Sequence, residues 1–168
     1  MTGPAFPRPV LHLFCGKIAS GKSTLARGIA TAPGHVLISD DAWLGALFGD
    51  RMASVADYMH YAAVLRGVMG PHVTDLLRAG LSVVLDYPAN TPGQRAWMKT
   101  LLNDSDACHR LHVFDLPDAI CLARLKARQD AGAHPFTVTE DQFHRVTAHL
   151  VMPSGDEGFD IVRHGADA

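Results

Sequence analysis

Eight residues near the start of the chain, Gly16-Lys17-Ile18-Ala19-Ser20-Gly21-Lys22-Ser23, fit the spacing G-x-x-x-x-G-K-[ST] at every fixed position. That spacing builds a cradle for a polyphosphate. Successive backbone N–H groups curl around the anion, and the first turn of a helix aims its dipole at it. Gly16 and Gly21 permit the unusual backbone angles and the close approach. Lys22 supplies a cation for the β- and γ-phosphates, and the Ser23 hydroxyl is placed to bind Mg²⁺. Ala19, Ser20 and Thr24 complete the candidate nucleotide-binding set.

Acids follow two apolar runs. Asp40-Asp41 comes directly after Val36-Leu37-Ile38-Ser39, and Asp86 closes Leu81-Ser82-Val83-Val84-Leu85. A carboxylate at such a strand end accepts a hydroxyl proton or helps orient Mg²⁺. Asp40 is assigned to the site and Asp41 to a helix N-cap, with the choice of base between them open. Asp86 reads as a metal-associated acid, as an acceptor contact, or as a turn residue before Tyr87-Pro88. Asn90 and Arg95 come next, and Arg95 either reaches acceptor or phosphate or is solvated. Arg124 and Arg128 stand four apart, so a helix puts them on one face beside Lys126. A lid arginine there stabilises charge developing on a transferred phosphoryl group. The competing reading is a solvated basic face.

The 10 histidines offer no metal spacing; His109 and His112, and His144 and His149, lack matching partners. Cys15, Cys108 and Cys121 are odd in number, widely spaced and without a nearby His-Asp arrangement. They read as packing residues in a reducing compartment. Met52 to Met69, with Tyr58, Met59 and Tyr61, covers a helix interface or lines an acceptor pocket.

The elements that must position these groups alternate. Val10–Cys15, Val36–Ser39, Leu81–Leu85, Leu111–Phe114 and Phe159–Val162 read as strands. Ser23–Ala30, Ala42–Leu47, Val55–Ala79, Pro92–Leu102, Asp118–Gln129 and Thr139–Leu150 read as helices. Ser54 with Asp57, and Thr139 with Gln142, have capping-box spacing. Gly70-Pro71 must kink or split the long third helix. The order β-α-β-α-α-β-α-β-α-α-β argues for an open, mostly parallel sheet with helices on both faces, binding ligands at the strands' carboxyl ends.

The chain has 168 residues, enough for one core, and residues 10–168 read as a single domain behind a flexible leader over 1–9. Hydrophobic residues are 48% and charged ones 19%, which excludes a disordered or fibrous chain. The formal net charge of −2 excludes a strongly basic nucleic-acid coat or a polybasic membrane-surface protein. No apolar run approaches the roughly 20 residues that span a bilayer. Cytoplasmic localisation is the expectation.

On Gly16–Ser23 with Thr24-Leu25-Ala26, and on Ile38-Ser39-Asp40-Asp41, the chain resembles the small P-loop kinases of the AAA-type predicted-kinase family. Its relatives there are polynucleotide kinase, chloramphenicol phosphotransferase, zeta toxin and gluconate kinase. The resemblance covers most of residues 10–163. It implies an α/β three-layer P-loop NTPase sandwich with a five-stranded parallel sheet in the order 2-3-1-4-5. It implies the base role for Asp40, a third-strand acid at Asp86 followed by Arg95, and a lid around residues 124–137. The last strand would lie near the adenine. Tyr87-Pro88-Ala89 departs from the small polar residues usual after that acid, and Gly132–Phe136 is only loosely similar to the gluconate-kinase lid.

The resulting expectation is an ATP- and Mg²⁺-dependent kinase acting on a hydroxyl of a small molecule, as monomer or homodimer, with Ser23 and Asp86 at the metal. Lys22, Asp40 and Arg124 or Arg128 carry the chemistry. The alternatives are a 5′-hydroxyl nucleic-acid or nucleoside kinase, a non-transferring ATP-binding module, and a zeta-like toxin kinase.

Overall fold

A computed structural model describes residues 8–103, 105–131 and 138–165. The strands are β1 (Val10–Gly16), β2 (His35–Ser39), β3 (Ser82–Pro88), β4 (Cys108–Phe114) and β5 (Ile161–His164). The helices are α1 (Lys22–Ile29), α2 (Asp40–Phe48), α3 (Val55–Arg78), α4 (Pro92–Thr100), α5 (Asp118–Asp130) and α6 (Glu140–Thr147). One sheet holds all five strands in the order β2-β3-β1-β4-β5, and every pairing is parallel.

Alternation along β1 separates the two faces. Leu11, Leu13 and Cys15 are fully buried with Val83, Leu85, Leu111 and Val113 against α3 and α4. Phe14 points the other way and packs with Val84, Phe114 and Ala26 of α1. Helices therefore cover both faces. Leu116, Cys121, Leu125 and Phe143 make a separate small core between α5 and α6.

Of the two effects expected of Gly70-Pro71, the split does not occur: α3 is one helix through Pro71. Its buried stripe Leu65, Met69, Val73, Leu77 recurs every four residues and holds both halves to the sheet. Pro71 and Gly67 are both exposed, so the carbonyl that Pro71 leaves without an intrahelical donor faces water. Both sequence-legible capping boxes are formed, at Ser54–Asp57 and Thr139–Gln142. Strand β3 runs on through Asp86 to Pro88, placing that acid inside the strand opposite Ser39. Strand β5 begins two residues later than expected, because Leu111 pairs with Ile161 and donates its N–H to the Asp160 carbonyl. Phe159 instead lies edge-on to His109, with the Lys99 ammonium over its ring. Helix α6 stops at Thr147, short of Leu150.

Residues 1–7 of the expected leader lie outside the described residues. Arg8 and Pro9 are tied down: Arg8 pairs with Asp106, and Cys108 donates its N–H to the Pro9 carbonyl at 2.8 Å. Cys15 and Cys121 are buried packing residues, but Cys108 is exposed, against expectation, because β4 enters the sheet from the rim.

A row of histidines crosses the α1 face. His12 Nδ1 lies 3.0 Å from His112 Nε2, and His112 Nδ1 lies 2.9 Å from His164 Nε2. Each link holds one proton, and the neutral rings carry a third on an outer nitrogen. A first added proton fits the other outer nitrogen, but a second puts two protons into one link and breaks it. Burial lowers both His12 and His112 to about 4 from the usual 6.5. The unfolded chain therefore binds more protons between pH 6.5 and about 4, and this contribution to stability is lost on acidification through that window. Asp40 and Asp86, with raised carboxyls, slope oppositely, so the test is differential. The destabilisation caused by His112→Leu at pH 7 is expected to shrink by about 2 kcal/mol at pH 5. Urea midpoints of both proteins at the two pH values check this, and an unchanged difference refutes it.

Candidate functional site

The carboxyl ends of β1, β2 and β3 converge on the loop between β1 and α1. Gly16 leaves β1 at φ +154°, Ala19 turns back at φ +59°, and Gly21 caps α1 at φ +108°. A Cβ on Gly16 would lie 2.9 Å from Phe114 Cβ and from Ser20 Oγ, closer than real side chains approach. Gly16→Ala is therefore expected to cost about 1–3 kcal/mol by overpacking. A lowered melting temperature, together with loss of any polyphosphate-induced gain in it, checks this.

The Asn90 side chain brackets Gly16: Oδ1 accepts from the Gly16 N–H at 2.9 Å, and Nδ2 donates to its carbonyl at 3.2 Å. This extends the sheet ladder with a side chain and holds the loop's entry in place. Lys17 anchors the other side, donating to the Leu116 carbonyl at 2.7 Å and pairing with Asp118 at 2.6 Å. Neither role was readable from spacing; the only signal was a polar residue just past a strand.

Lys22 folds over the loop, its Nζ donating to the Gly16 and Lys17 carbonyls at 2.7 and 2.6 Å. Burial lowers its pKa, with Asp86 pulling the other way. The first N–H groups of α1 have no acceptor within the helix, so they and Lys22 present the positive groups that an anion needs. Ser23 Oγ donates to Asp86 Oδ1 at 3.2 Å. A hydroxyl and a carboxylate in contact are the hard oxygen pair that Mg²⁺ takes alongside phosphate and water oxygens, so these residues fit the metal. Burial raises the Asp86 carboxyl.

Asp40 opens α2 directly after Ser39, which pairs with Asp86 across the sheet. Its Oδ1 accepts the Asp41 N–H at 2.8 Å. Burial first, then the neighbouring Asp41, push the Asp40 carboxyl up to about 8. Asp41 is no N-cap: Ser39 holds that position, and Asp41 lies in the first turn with Asp40. Tyr58 and Met59 of α3 line a pocket with Asp40, while Met52 and Tyr61 pack onto the core as a helix interface.

Arg124 Nη1 donates to the Ser20 carbonyl at 3.2 Å, so α5 brings this arginine to the loop. Arg128 lies one turn further on, its Nε buried without a hydrogen-bond partner among the described residues. Residues 132–137 of the expected lid lie outside the described residues. Thr24 belongs to the first turn, its N–H donating to the Gly21 carbonyl at 3.1 Å.

Arg95 is the clear correction. It is fully buried, neither solvated nor aimed at the loop. Its guanidinium grips Glu157 with both carboxylate oxygens, at 2.6 and 2.8 Å, and donates to the Ala89 and Val151 carbonyls. Every donor direction it uses points into the scaffold behind the site. Among the described residues no cluster of three His, Cys, Asp or Glu could hold a metal, and no helix is long and apolar enough to cross a membrane.

Solved structures share this fold. A Chloroflexus aurantiacus protein assigned as a kinase superposes with a TM-score of 0.71 at 18% identity, covering 94% of this chain and 85% of that one. A chain of the Pnkp1/Rnl/Hen1 RNA repair complex gives 0.68 at 21% identity, over 88% of this chain and 45% of that one. The APS kinase of Mycobacterium tuberculosis, solved with AMPPNP and APS, gives 0.55 at 20%, covering 96% and 91%. No curated protein sequence matches significantly. The nucleotide-type loop, the strand-end acids and the 2-3-1-4-5 sheet form a P-loop kinase-like fold, and the match of residues 11–153 to the AAA domain family makes this chain a member of that family.

Proposed function

We propose that the protein is an ATP- and Mg²⁺-dependent phosphotransferase acting on a hydroxyl of a small molecule. The observation that carries this reading is the convergence of Lys22, the Ser23–Asp86 pair and Asp40 on the ends of three adjacent strands. The bound AMPPNP of the APS kinase and the kinases sharing the fold support it.

In this mechanism the loop N–H groups and Lys22 exchange their contacts with the loop's own carbonyls for phosphate oxygens. Ser23 and Asp86 would hold Mg²⁺, which neutralises charge on the phosphates. Asp40 accepts the acceptor's hydroxyl proton. The acceptor oxygen bonds to the γ-phosphorus, the bond to the β,γ-bridging oxygen breaks, and ADP departs with that electron pair. Arg124 stands at the loop where charge spreads over the transferred group. The loose transition state leaves the protein to supply position and charge rather than covalent chemistry.

Thermal melting and ADP release test this. MgATP is expected to raise the melting temperature, and a panel of nucleosides, sugars, antibiotics and 5′-hydroxyl oligonucleotides is expected to contain an acceptor that stimulates ADP release. Lys22→Ala should abolish both effects. If MgATP leaves the melting temperature unchanged, the reading fails; if ATP binds and no acceptor ever works, the protein is a nucleotide-binding module.

A further inference from the structure

Behind Asp40 lies a cavity of about 100 Å³ between α3, α4 and the end of β3. Its walls include Tyr58, Met59, Leu65, Tyr87, Trp97 and Met98. The size is of the order of the roughly 150 Å³ apolar cavities that take up benzene.

Asp40 and Arg66, of opposite formal charge, are the charged residues lining the cavity. Gln94 also lines it, but its Oε1 already accepts from the Asn90 and Thr91 N–H groups, both at 3.0 Å. The remaining polar groups are the Tyr58 and Tyr87 hydroxyls, the Gln94 amide nitrogen and the Trp97 indole N–H. Tyr87 is 4% exposed, and its Oη is buried with no hydrogen-bond partner among the described residues. Leaving such a group unpaired costs about 1–3 kcal/mol, so this hydroxyl gains from a ligand atom that reaches it when the cavity fills. The Tyr87 and Trp97 rings lie 6.1 Å apart and 24° from parallel, giving this wall a continuous aromatic surface.

We infer that the acceptor is a neutral alcohol carrying an apolar or aromatic ring, which fills this cavity, hydrogen-bonds to Tyr87 Oη and presents its hydroxyl to Asp40. A polyol or sugar acid would bury part of its hydroxyls against Met59, Leu65, Met98 and aromatic carbon, which a ring alcohol covers with apolar surface instead. An oligonucleotide would need several cations for its phosphates, and the lining supplies Arg66 alone. The inference rests on the phosphotransfer reading and names its substrate class. The bonds made and broken are those given above: the ring alcohol's O–H proton passes to the Asp40 carboxylate, its oxygen takes the phosphoryl group, and ADP leaves.

The test separates binding from transfer. The chain's two tryptophans are Trp43 and Trp97, so Trp43→Phe leaves the pocket residue as the only indole reporter. Benzyl alcohol, 2-phenylethanol and their ring-hydroxylated forms are titrated against Trp97 fluorescence and assayed for MgATP-dependent ADP release. Glucose, gluconate and a 5′-hydroxyl oligonucleotide form the polar arm. Saturable changes in fluorescence and stimulated ADP release with ring alcohols alone are expected. Tyr87→Phe should raise KM for the best of them about fivefold with kcat held, while its melting temperature stays level or rises because an orphaned hydroxyl is gone. A residue that merely supported the fold would lower the melting temperature instead. Stimulation by the polar arm without any response to ring alcohols overturns the substrate class and leaves phosphotransfer standing. Ring alcohols that bind without releasing ADP overturn their role as acceptors. If MgATP also fails to stabilise the protein, the phosphotransfer reading goes with it.

Discussion

Asp40→Asn is expected to lower acceptor-dependent ADP release by about 10²- to 10⁴-fold, the range for loss of a positioned general base. ATP affinity should stay within about threefold, because the proposed mechanism draws its phosphate contacts from the loop and Lys22, not from Asp40. The pH profile gives a second check on the same residue. Asp40 must be ionised to take a proton, and burial beside Asp41 holds it protonated up to about 8. The rate should therefore climb with pH through neutrality, reach half its maximum near 8 and level off above it. Asp41→Asn removes the neighbouring charge that is the second cause of the shift, so the rising limb should move to lower pH with the plateau kept. Should Asp40→Asn retain wild-type turnover, or the limb stay put in Asp41→Asn, Asp40 is not the base.

Arg95→Ala is expected to destabilise the protein by about 3 kcal/mol, the low end for removing one partner of a buried ion pair, because the Glu157 left behind is 24% exposed. The guanidinium is fully buried and joins three stretches of chain: α4, the Ala89 carbonyl past β3, and the segment of Val151 and Glu157. Removing it leaves the Glu157 carboxylate and two carbonyls short of a donor. The damage should reach the nucleotide loop. Ala89 donates its N–H to the Phe14 carbonyl, and Val151 donates to the Asn90 carbonyl, so Arg95 steadies the residue that clamps Gly16. Urea denaturation of Arg95→Ala should show the loss, and MgATP-induced stabilisation should weaken in parallel. A stability change under about 1 kcal/mol means the pair is dispensable. Glu157→Gln, which keeps an acceptor for the guanidinium, should cost less than Arg95→Ala.

The cradle, the strand-end acids and the alternation of strands and helices were all legible in residues 10–41 and 81–86 without coordinates. Their information is local: a glycine's permitted angles, an apolar run, and a capping residue three before its partner act within a few residues. The order of the strands was available only through family resemblance, because pairing joins segments far apart in sequence. Arg95 shows the limit of reading types without neighbours. Next to a strand-end acid it suggests an anion contact, yet Glu157, Ala89 and Val151 turn it into a buried strut. Pro71 does not split α3 for a similar reason: the stripe from Leu65 to Leu77 binds both halves to the sheet, and the freed carbonyl meets water. The clamp at Asn90, the histidine row and the aromatic cavity behind Asp40 each need side chains from separate strands and helices. The sequence alone thus determined the candidate phosphate cradle, since that cradle is one contiguous turn. Tertiary structure decided what stands opposite it, since an acceptor's surroundings are assembled from residues that meet only when the sheet and its helices have packed.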